Sequence, residues 1–318
     1  MTVAEELLEP DAVHAFGVFA DHLNFTTAAA TLHLSQPSLH AKIRKLQAGL
    51  GIALYERDGR GLRLTAAGER LAAFARDTAR QAGDLLADLS GGLAPVVLAA
   101  GRGTFRWVIG DGIRRLAGSG RPVRVLTADR DAALTAVTSG RVDLAVIAHD
   151  PPPPSLRSTQ LAAYPQTLLL PREHALADRT HLDLTDLDGL DLVVPPPGRP
   201  HRRALDRALL DAGVSWNVAA EVDGWELLAH FAALGLGATI VNGCVHPPAG
   251  LTAVPLRDLP AVRYWTVWRP ERDRSAADAL THLRRAPAGP GRSGAGRPGA
   301  DQPETPEHPG HPTEVGPR

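Results

Sequence analysis

Hydrophobic periodicity changes once along this chain, and the change falls at Gly91-Gly92 and Pro95. Before it, apolar residues recur every three or four positions, the spacing of amphipathic helices. After it, short apolar runs such as VVLAAG, VRVLT and VDLAVIAH alternate with helical stretches. With 318 residues, the chain reads as about two domains joined by a linker, and 44% hydrophobic content lets each bury a core without staples.

Several function classes drop out on composition. The lone cysteine, Cys244, excludes a disulfide framework, and its neighbours Ile240, Val241 and Val245 favour a small buried hydrophobe over a reactive thiol. The first residues, MTVAEELLEPD, are acidic and lack a signal-peptide layout, and no apolar run approaches the ~20 residues that span a bilayer. A cytoplasmic protein with no membrane partner is expected. No G-x-S-x-G, H-E-x-x-H, paired-cysteine spacing or phosphate loop is present, so no catalysis, metal or cofactor is expected.

Net charge is −1, which gives no global sign of a polyanionic partner. Locally the count differs: residues 35–65 hold Lys42, Arg44, Lys45, Arg57, Arg60 and Arg63 against only Glu56 and Asp58. Such segregation is what a phosphate-facing surface needs.

The elements around these cations are legible. A first helix is expected at 11–23, with Val13, Phe16, Phe19, Ala20 and Leu23 on one stripe and Pro10-Asp11 as its start signal. Thr26 opens a short alanine-rich helix, 27–32, and His33 and Leu34 turn the chain. Ser35 is a natural N-cap, and Pro37 in the first helical turn removes no hydrogen bond. The third helix turns Leu39, Ile43, Leu46 and Leu50 inward. Its outer arc is Pro37, Ser38, Ala41, Arg44 and Lys45, flanked by His40 and Lys42, with Gln36 at the tip. Small polar residues at the start of a second helix, followed by cations, suit entry into a major groove. Gln36 can meet a base edge, and Lys42, Arg44 and Lys45 can meet phosphate or guanine. The plainer reading is a solvated face of a three-helix bundle. Residues 53–71 argue against it: two short strands flank Asp58-Gly59-Arg60-Gly61, which makes Arg57, Arg60 and Arg63 a cationic wing.

The stretch FTTAAATLHLSQPSLHAKIRKLQAGLG, continued by ALYERDGRGLRLTAAG, resembles the N-terminal domain of LysR-type transcriptional regulators. The match runs through Phe25, Thr26, Ala28, Ala29, Leu32, His33, Ser35, Gln36, Pro37, Leu39, Ile43, Leu46, Leu50, Gly51, Leu54, Arg57, Leu64, Thr65, Ala67 and Gly68. Gln47 and Tyr55 depart mildly from the usual glutamate and phenylalanine. His40 and Ala41 stand at outward positions where serine and arginine are frequent, so the operator read here need not match a relative's. The resemblance implies that Gln36, Pro37, Ser38, His40 and Lys42 meet bases. It further implies that Ser35, Arg44, Lys45, Arg57, Arg60, Arg63 and Thr65 hold the DNA backbone.

A long helix is expected at 66–89, capped by Thr65, although Gly68 stands where a capping box wants glutamate. Leu71, Ala75, Thr78, Ala82, Leu85 and Leu89 step by fours and threes, the period of a coiled-coil seam. The seam either pairs two subunits, as the resemblance implies, or packs on its own domain.

From Val96 the pattern reads as βαβαβ: a strand, a helix at 104–116, VRVLT, a helix at 131–139 and VDLAVIAH. A second such lobe follows, with strands at 166–170, 190–194, 218–222 and 237–241 and helices at 202–212 and 225–234. Strands near Ala253 and at 264–268 return the chain towards the first lobe. This half resembles the family's effector domain, G-R-V-D-L-A-V and A-A-L-G-L-G-A-T-I-V being its phrases. The expected fold class is α+β overall: an N-terminal winged helix-turn-helix (11–68), a long linker helix (66–92), and a C-terminal two-lobed α/β periplasmic-binding-protein-like domain (95–285). Within that domain lobe I is about 95–163 and 251–285, lobe II about 164–250. Residues 286–318, crowded with Pro, Gly and charge, read as a disordered tail.

Open α/β sheets take ligands at the carboxyl ends of their strands, here the cleft between lobes. Gly101-Arg102-Gly103-Thr104 opens a helix after the first strand, which suits an anion, with Arg102 as cation and Thr104 as donor; a surface ion pair is the alternative for Arg102. G-x-G-x-x with Asp129 after the second strand also suggests a dinucleotide, but Arg106 replaces the third glycine. His149 and Asn242 face the same cleft by topology, each with a plain loop role as its alternative, and join Arg102, Gly103, Thr104 and Asp129 in the expected effector-binding set; Trp225 is core or lid. The expected partners are double-stranded operator DNA, a small-molecule effector of anionic character, a second or fourth copy of the chain, and RNA polymerase. The rivals are an architectural DNA protein, and an enzyme or solute carrier built on the two-lobed fold.

Overall fold

A computed structural model describes residues 8–59 and 61–284. Arg60 and the tail expected at 286–318 lie outside the described residues.

Helix α1, Pro10–His22, starts with Pro at its first position and ends at Leu23 in the left-handed region. Helix α2, Phe25–Thr31, is capped by Asn24, whose side-chain oxygen accepts from the Thr27 amide at 3.1 Å, so the cap lies two residues before Thr26. Helix α3, Gln36–Leu50, is capped by Ser35 and closes at Gly51 with φ +65°. Leu39, Ile43 and Leu46 are buried against Phe16 and Phe19, and Leu50 is half-buried. Burial of each such side chain stabilises by about 1.5–3 kcal/mol. Phe19 stacks on Phe25 with centroids 4.3 Å apart, and Tyr55 meets both edge-on.

Strands β1, Tyr55–Asp58, and β2, Gly61–Leu64, pair antiparallel from Tyr55↔Leu64 to Asp58↔Gly61. Helix α4, Ala66–Leu89, follows. Thr65 accepts from the Gly68 amide at 3.1 Å and donates to the Ala53 carbonyl at 2.7 Å. The expected seam divides: Ala75 packs on α1, where a Cβ on Gly17 would lie 2.9 Å from the Ala75 methyl, whereas Thr78, Ala82, Leu85 and Leu89 face solvent.

The rest of the chain builds a five-stranded, a three-stranded and a two-stranded sheet. The first, five-stranded, sets Val123–Thr127, Val96–Ala100, Leu144–Ala148, Val262–Trp268 and Arg157–Tyr164 side by side in that order. Its strands β3, Val96–Ala100, β4, Val123–Thr127, and β5, Leu144–Ala148, are parallel, with α5, Arg102–Trp107, α6, Gly110–Gly118, and α7, Arg130–Thr138, as crossovers. The single helix expected at 104–116 is thus two, broken where Ile109 is wholly buried. Strand β6, Arg157–Tyr164, was not expected; it is an edge strand with a weak apolar alternation.

Beyond Pro165 the chain enters the second sheet at β7, Gln166–Pro171. Strands β8, Asp191–Val194, and β9, Asn217–Glu221, run parallel on either side of α8, Pro200–Asp211. Helix α9, Trp225–Ala233, leads to β10, Thr239–Asn242. Strand β11, Leu251–Pro255, pairs with β7, Ala253 opposite Leu169. This corrects the expected return: the Ala253 strand stays in the second sheet, because Val254 and Leu256 are buried in the same core as Leu168 and Leu170. The return is made by β12, Val262–Trp268, which pairs antiparallel with β5 and β6, and α10, Asp273–Leu283, closes the first lobe. The two crossings are tied together, since Gln166 donates from Nε2 to the Pro260 carbonyl at 3.1 Å.

Candidate nucleic-acid interface and inter-lobe cleft

The start of α3 is internally satisfied. Ser35 Oγ accepts from the Ser38 amide at 3.2 Å and lies 2.7 Å from Ser38 Oγ, while Thr26 Oγ1 donates to Gln36 Oε1 at 3.2 Å. Gln36 is exposed, and its side-chain nitrogen makes no hydrogen bond among the described residues. Gln36, Pro37, His40, Ala41 and Arg44 line one open concavity of about 570 Å³ on this face. The His40 ring rests against Phe25, centroids 5.0 Å apart, which fixes its direction.

The cations differ in their freedom. Lys42 is partly buried and pairs with Asp11 at the start of α1, holding that carboxyl below its usual range through the hydrogen bond and the charge of Lys42. Lys45 Nζ lies 3.5 Å from Glu9. Arg63 pairs with Glu56, its cross-strand partner, at 2.6 Å. Arg57 sits opposite Leu62, so Arg57 and Arg63 emerge on opposite faces of the hairpin. Arg44 and Arg57 are exposed and make no ion pair among the described residues. Thr65 spends its hydroxyl on the α4 cap described above.

In the two-lobed half, three pairs face one another across the lobes. Gly103 of α5 lies against Trp225 at the start of α9: a Cβ on the glycine would sit 3.5 Å from the indole Cδ1. Trp225 in turn packs on His201 of α8, centroids 5.7 Å apart. His201 is pushed down from its ordinary value first by burial, against the pull of the Ile240 carbonyl, and further by His149 from the opposite lobe. His149, at φ +74°, is also pushed down, first by desolvation, with Asp150 and Arg130 acting in opposite senses. At the rim Arg199 pairs with Asp223 and also feels Asp129. Arg102 is exposed and Thr104 half-buried at the start of α5.

Two expected cleft residues do other work. Asp129 caps α7, accepting from the Ala132 amide at 2.9 Å, which explains its position after β4 without a ribose to bind. Asn242 is 1% exposed and donates to the Tyr264 hydroxyl at 2.7 Å, so it lies behind the cleft at the crossing of the lobes rather than on its wall. His201 and Arg199 were missed; their only signal was a Pro-rich turn, P-P-P-G-R-P-H, opening a helix. Among the described residues no group of three or more His, Cys, Asp or Glu is arranged to hold a metal ion.

A winged helix-turn-helix carried by a long helix on a two-lobed α/β domain defines a DNA-binding regulator with its own ligand-binding module. Residues 120–286 match the LysR substrate binding domain, and residues 10–69 match the bacterial regulatory helix-turn-helix protein of the lysR family. The chain belongs to the LysR family of DNA-binding transcriptional regulators, and its C-terminal half is the family's effector-binding domain. It is 31% identical over 243 residues to a probable hydrogen peroxide-inducible genes activator of Streptomyces viridosporus, covering 72% of this chain and 76% of that protein. To the RuBisCO operon transcriptional regulator of Allochromatium vinosum it is 24% identical, covering 72% and 78%. Among solved structures, a full-length OxyR variant from Pseudomonas aeruginosa superposes with TM-score 0.67 at 21% identity, covering 89% of this chain and 94% of that one. Full-length CbnR in complex with its target DNA superposes with TM-score 0.57 at 20% identity, covering 86% and 98%.

Proposed function

We propose that this regulator reads an operator through the outer face of α3 and answers to a small anionic effector held between its lobes. Gln36, Ser38 and His40, with the flat surface of Pro37, meet base edges; Ser35, Arg44, Lys45, Arg57, Arg60 and Arg63 hold phosphates. Lys42 orients α3 through Asp11, and Thr65 sets the angle of α4. The observation that carries this reading is the exposed concavity of Gln36, Pro37, His40, Ala41 and Arg44, on a helix whose own cap is already satisfied. The Gln36 amide nitrogen and the Arg44 guanidinium have no partner among the described residues and are free for base edges and phosphates.

The effector would enter beside Arg102, Gly103 and Thr104 and be closed upon by Trp225 and His201, with His149 opposite. Closure alters operator binding only if the ligand prefers one lobe arrangement. The exposed Leu85, Leu86 and Leu89 on α4 support a homodimer or homotetramer, which places two reading heads on one operator and so governs RNA polymerase access. The role is binding without turnover, in the cytoplasm where the operator lies; among the described residues no helix is long and apolar enough to cross a membrane. This sequence has one cysteine, Cys244, buried and with its thiol pushed up by that burial, so an internal disulfide has no part in the proposed response.

Selection of bound sites from random duplex DNA at physiological salt tests the reading. An interrupted palindrome is the expected product, and Gln36→Ala should relax base preference at one position per half-site. No recovered motif, or an equal loss by Gln36→Ala on operator and random DNA, would leave an architectural DNA protein instead.

A further inference from the structure

A recess of about 570 Å³ opens where the reading head, α4 and the first lobe meet. Arg76 and Arg80 of α4 line it, with Arg124 of β4, Arg141 of the turn before β5, Asp21 of α1 and Asp84 of α4. Four of these six are already paired. Arg76 binds Asp21 at 2.7 Å and the Ser139 carbonyl at 2.9 Å; Arg80 binds Asp143 and the Gly140 carbonyl; Asp84 takes Arg272 at 3.3 Å. Arg124 and Arg141 are exposed and make neither an ion pair nor a side-chain hydrogen bond among the described residues. The recess thus carries two positive charges that its own acids do not offset.

We propose that this recess is a second ligand site, distinct from the inter-lobe cleft, that takes a small dianion: inorganic phosphate or the phosphate of a monoester. Two free guanidinium forks match the charge of such an anion and the geometry of its oxygens. The Arg76 and Arg80 side chains are only 11% and 18% exposed and are fixed by carbonyls of the 139–140 turn, so the wall they form is set before a ligand arrives. Arg141 follows that same turn, and Arg124 lies beside Val97, its register partner in β3 and a further lining residue. An anion bridging Arg124 and Arg141 to α4 would bind the DNA-reading half to the effector half at their junction.

Calorimetric titration of the full chain at constant ionic strength tests this, with inorganic phosphate and glycerol phosphate as probes and chloride as the blank. Saturable binding with a dissociation constant near or below about 1 mM is expected for the wild type. Arg124→Ser with Arg141→Ser should weaken it at least tenfold; both side chains are exposed, and an unchanged thermal midpoint in chloride will show that the double variant folds. Arg102→Ser in the cleft should leave it unchanged. Tighter binding of the ester than of phosphate assigns the remaining volume to an organic group, and equal binding assigns the site to the ion. No saturable heat in the wild type, equal binding by the double variant, or loss only in Arg102→Ser would overturn the proposal.

Discussion

Gly68 lies against Leu54 so closely that a Cβ on the glycine would fall 1.8 Å from the Leu54 carbonyl oxygen. The helix start is therefore held by contact as well as by the Thr65 cap, and a capping glutamate at this position is sterically excluded. Gly68→Ala should destabilise the chain by about 1–3 kcal/mol or more, the range for overpacking a tight site. Urea unfolding followed by circular dichroism checks this; an unchanged midpoint would mean that α4 shifts at no cost.

Asp143 is 4% exposed and serves three groups: Arg80, the Val97 amide at 2.7 Å, and Arg272 at 4.0 Å. Asp143→Asn keeps the shape and removes the charge, leaving the largely buried Arg80 without its counter-ion, while Arg272 keeps Asp84 and Asp77. A loss of about 3–5 kcal/mol is expected. Removing Arg80 as well should restore part of it, which a double-mutant cycle on unfolding free energies would read out.

His201 and His149 are both pushed below the ordinary value of 6.5. The folded chain thus binds fewer protons than the unfolded chain as pH falls through that value, and stability drops with it. Their share of stability is fully present above about pH 6.5 and lost progressively below, where each proton would also set like charges facing across the lobes. The thermal midpoint should fall between pH 7.5 and 5.5, and His201→Gln should flatten that fall. An equal slope in wild type and variant would remove His201 as its source.

Leu85 and Leu89 are 58% and 76% exposed on the far half of α4. If that half is a subunit seam, Leu85→Glu with Leu89→Glu should yield a monomer by light scattering and weaken operator binding by far more than tenfold, since the paired reading heads are lost. A variant that keeps its oligomeric mass places the subunit contact elsewhere.

Much of this molecule is local and was legible from residue spacing. The Ser35 cap, the α4 limits and the wing hairpin each depend on residues within a few positions of one another. What spacing could not show were pairings between distant segments. Lys42 looks like a DNA contact until Asp11, thirty-one positions earlier, is found beside it. Asn242 reads as a cleft residue until Tyr264 folds onto it from β12. The Ala253 strand could join either sheet by sequence, and its partner was decided by the core on which Val254 closes. His201 reaches the cleft only because two lobes, written far apart in the chain, are brought face to face.

The α4 clamp has a mechanical side. Arg80 grips the first lobe at Asp143 and Gly140, and Asp77 is held by Arg269 at 2.7 Å, so this stretch is clamped to the lobe. From Arg80 back to the head of the helix is about 22 Å at 1.5 Å per residue. A lobe rotation of roughly 10° would swing that arm through about 4 Å, more than the 3.4 Å step from one base to the next along a strand. A lever of this length would turn a small rearrangement of the effector domain into a change of register on the operator.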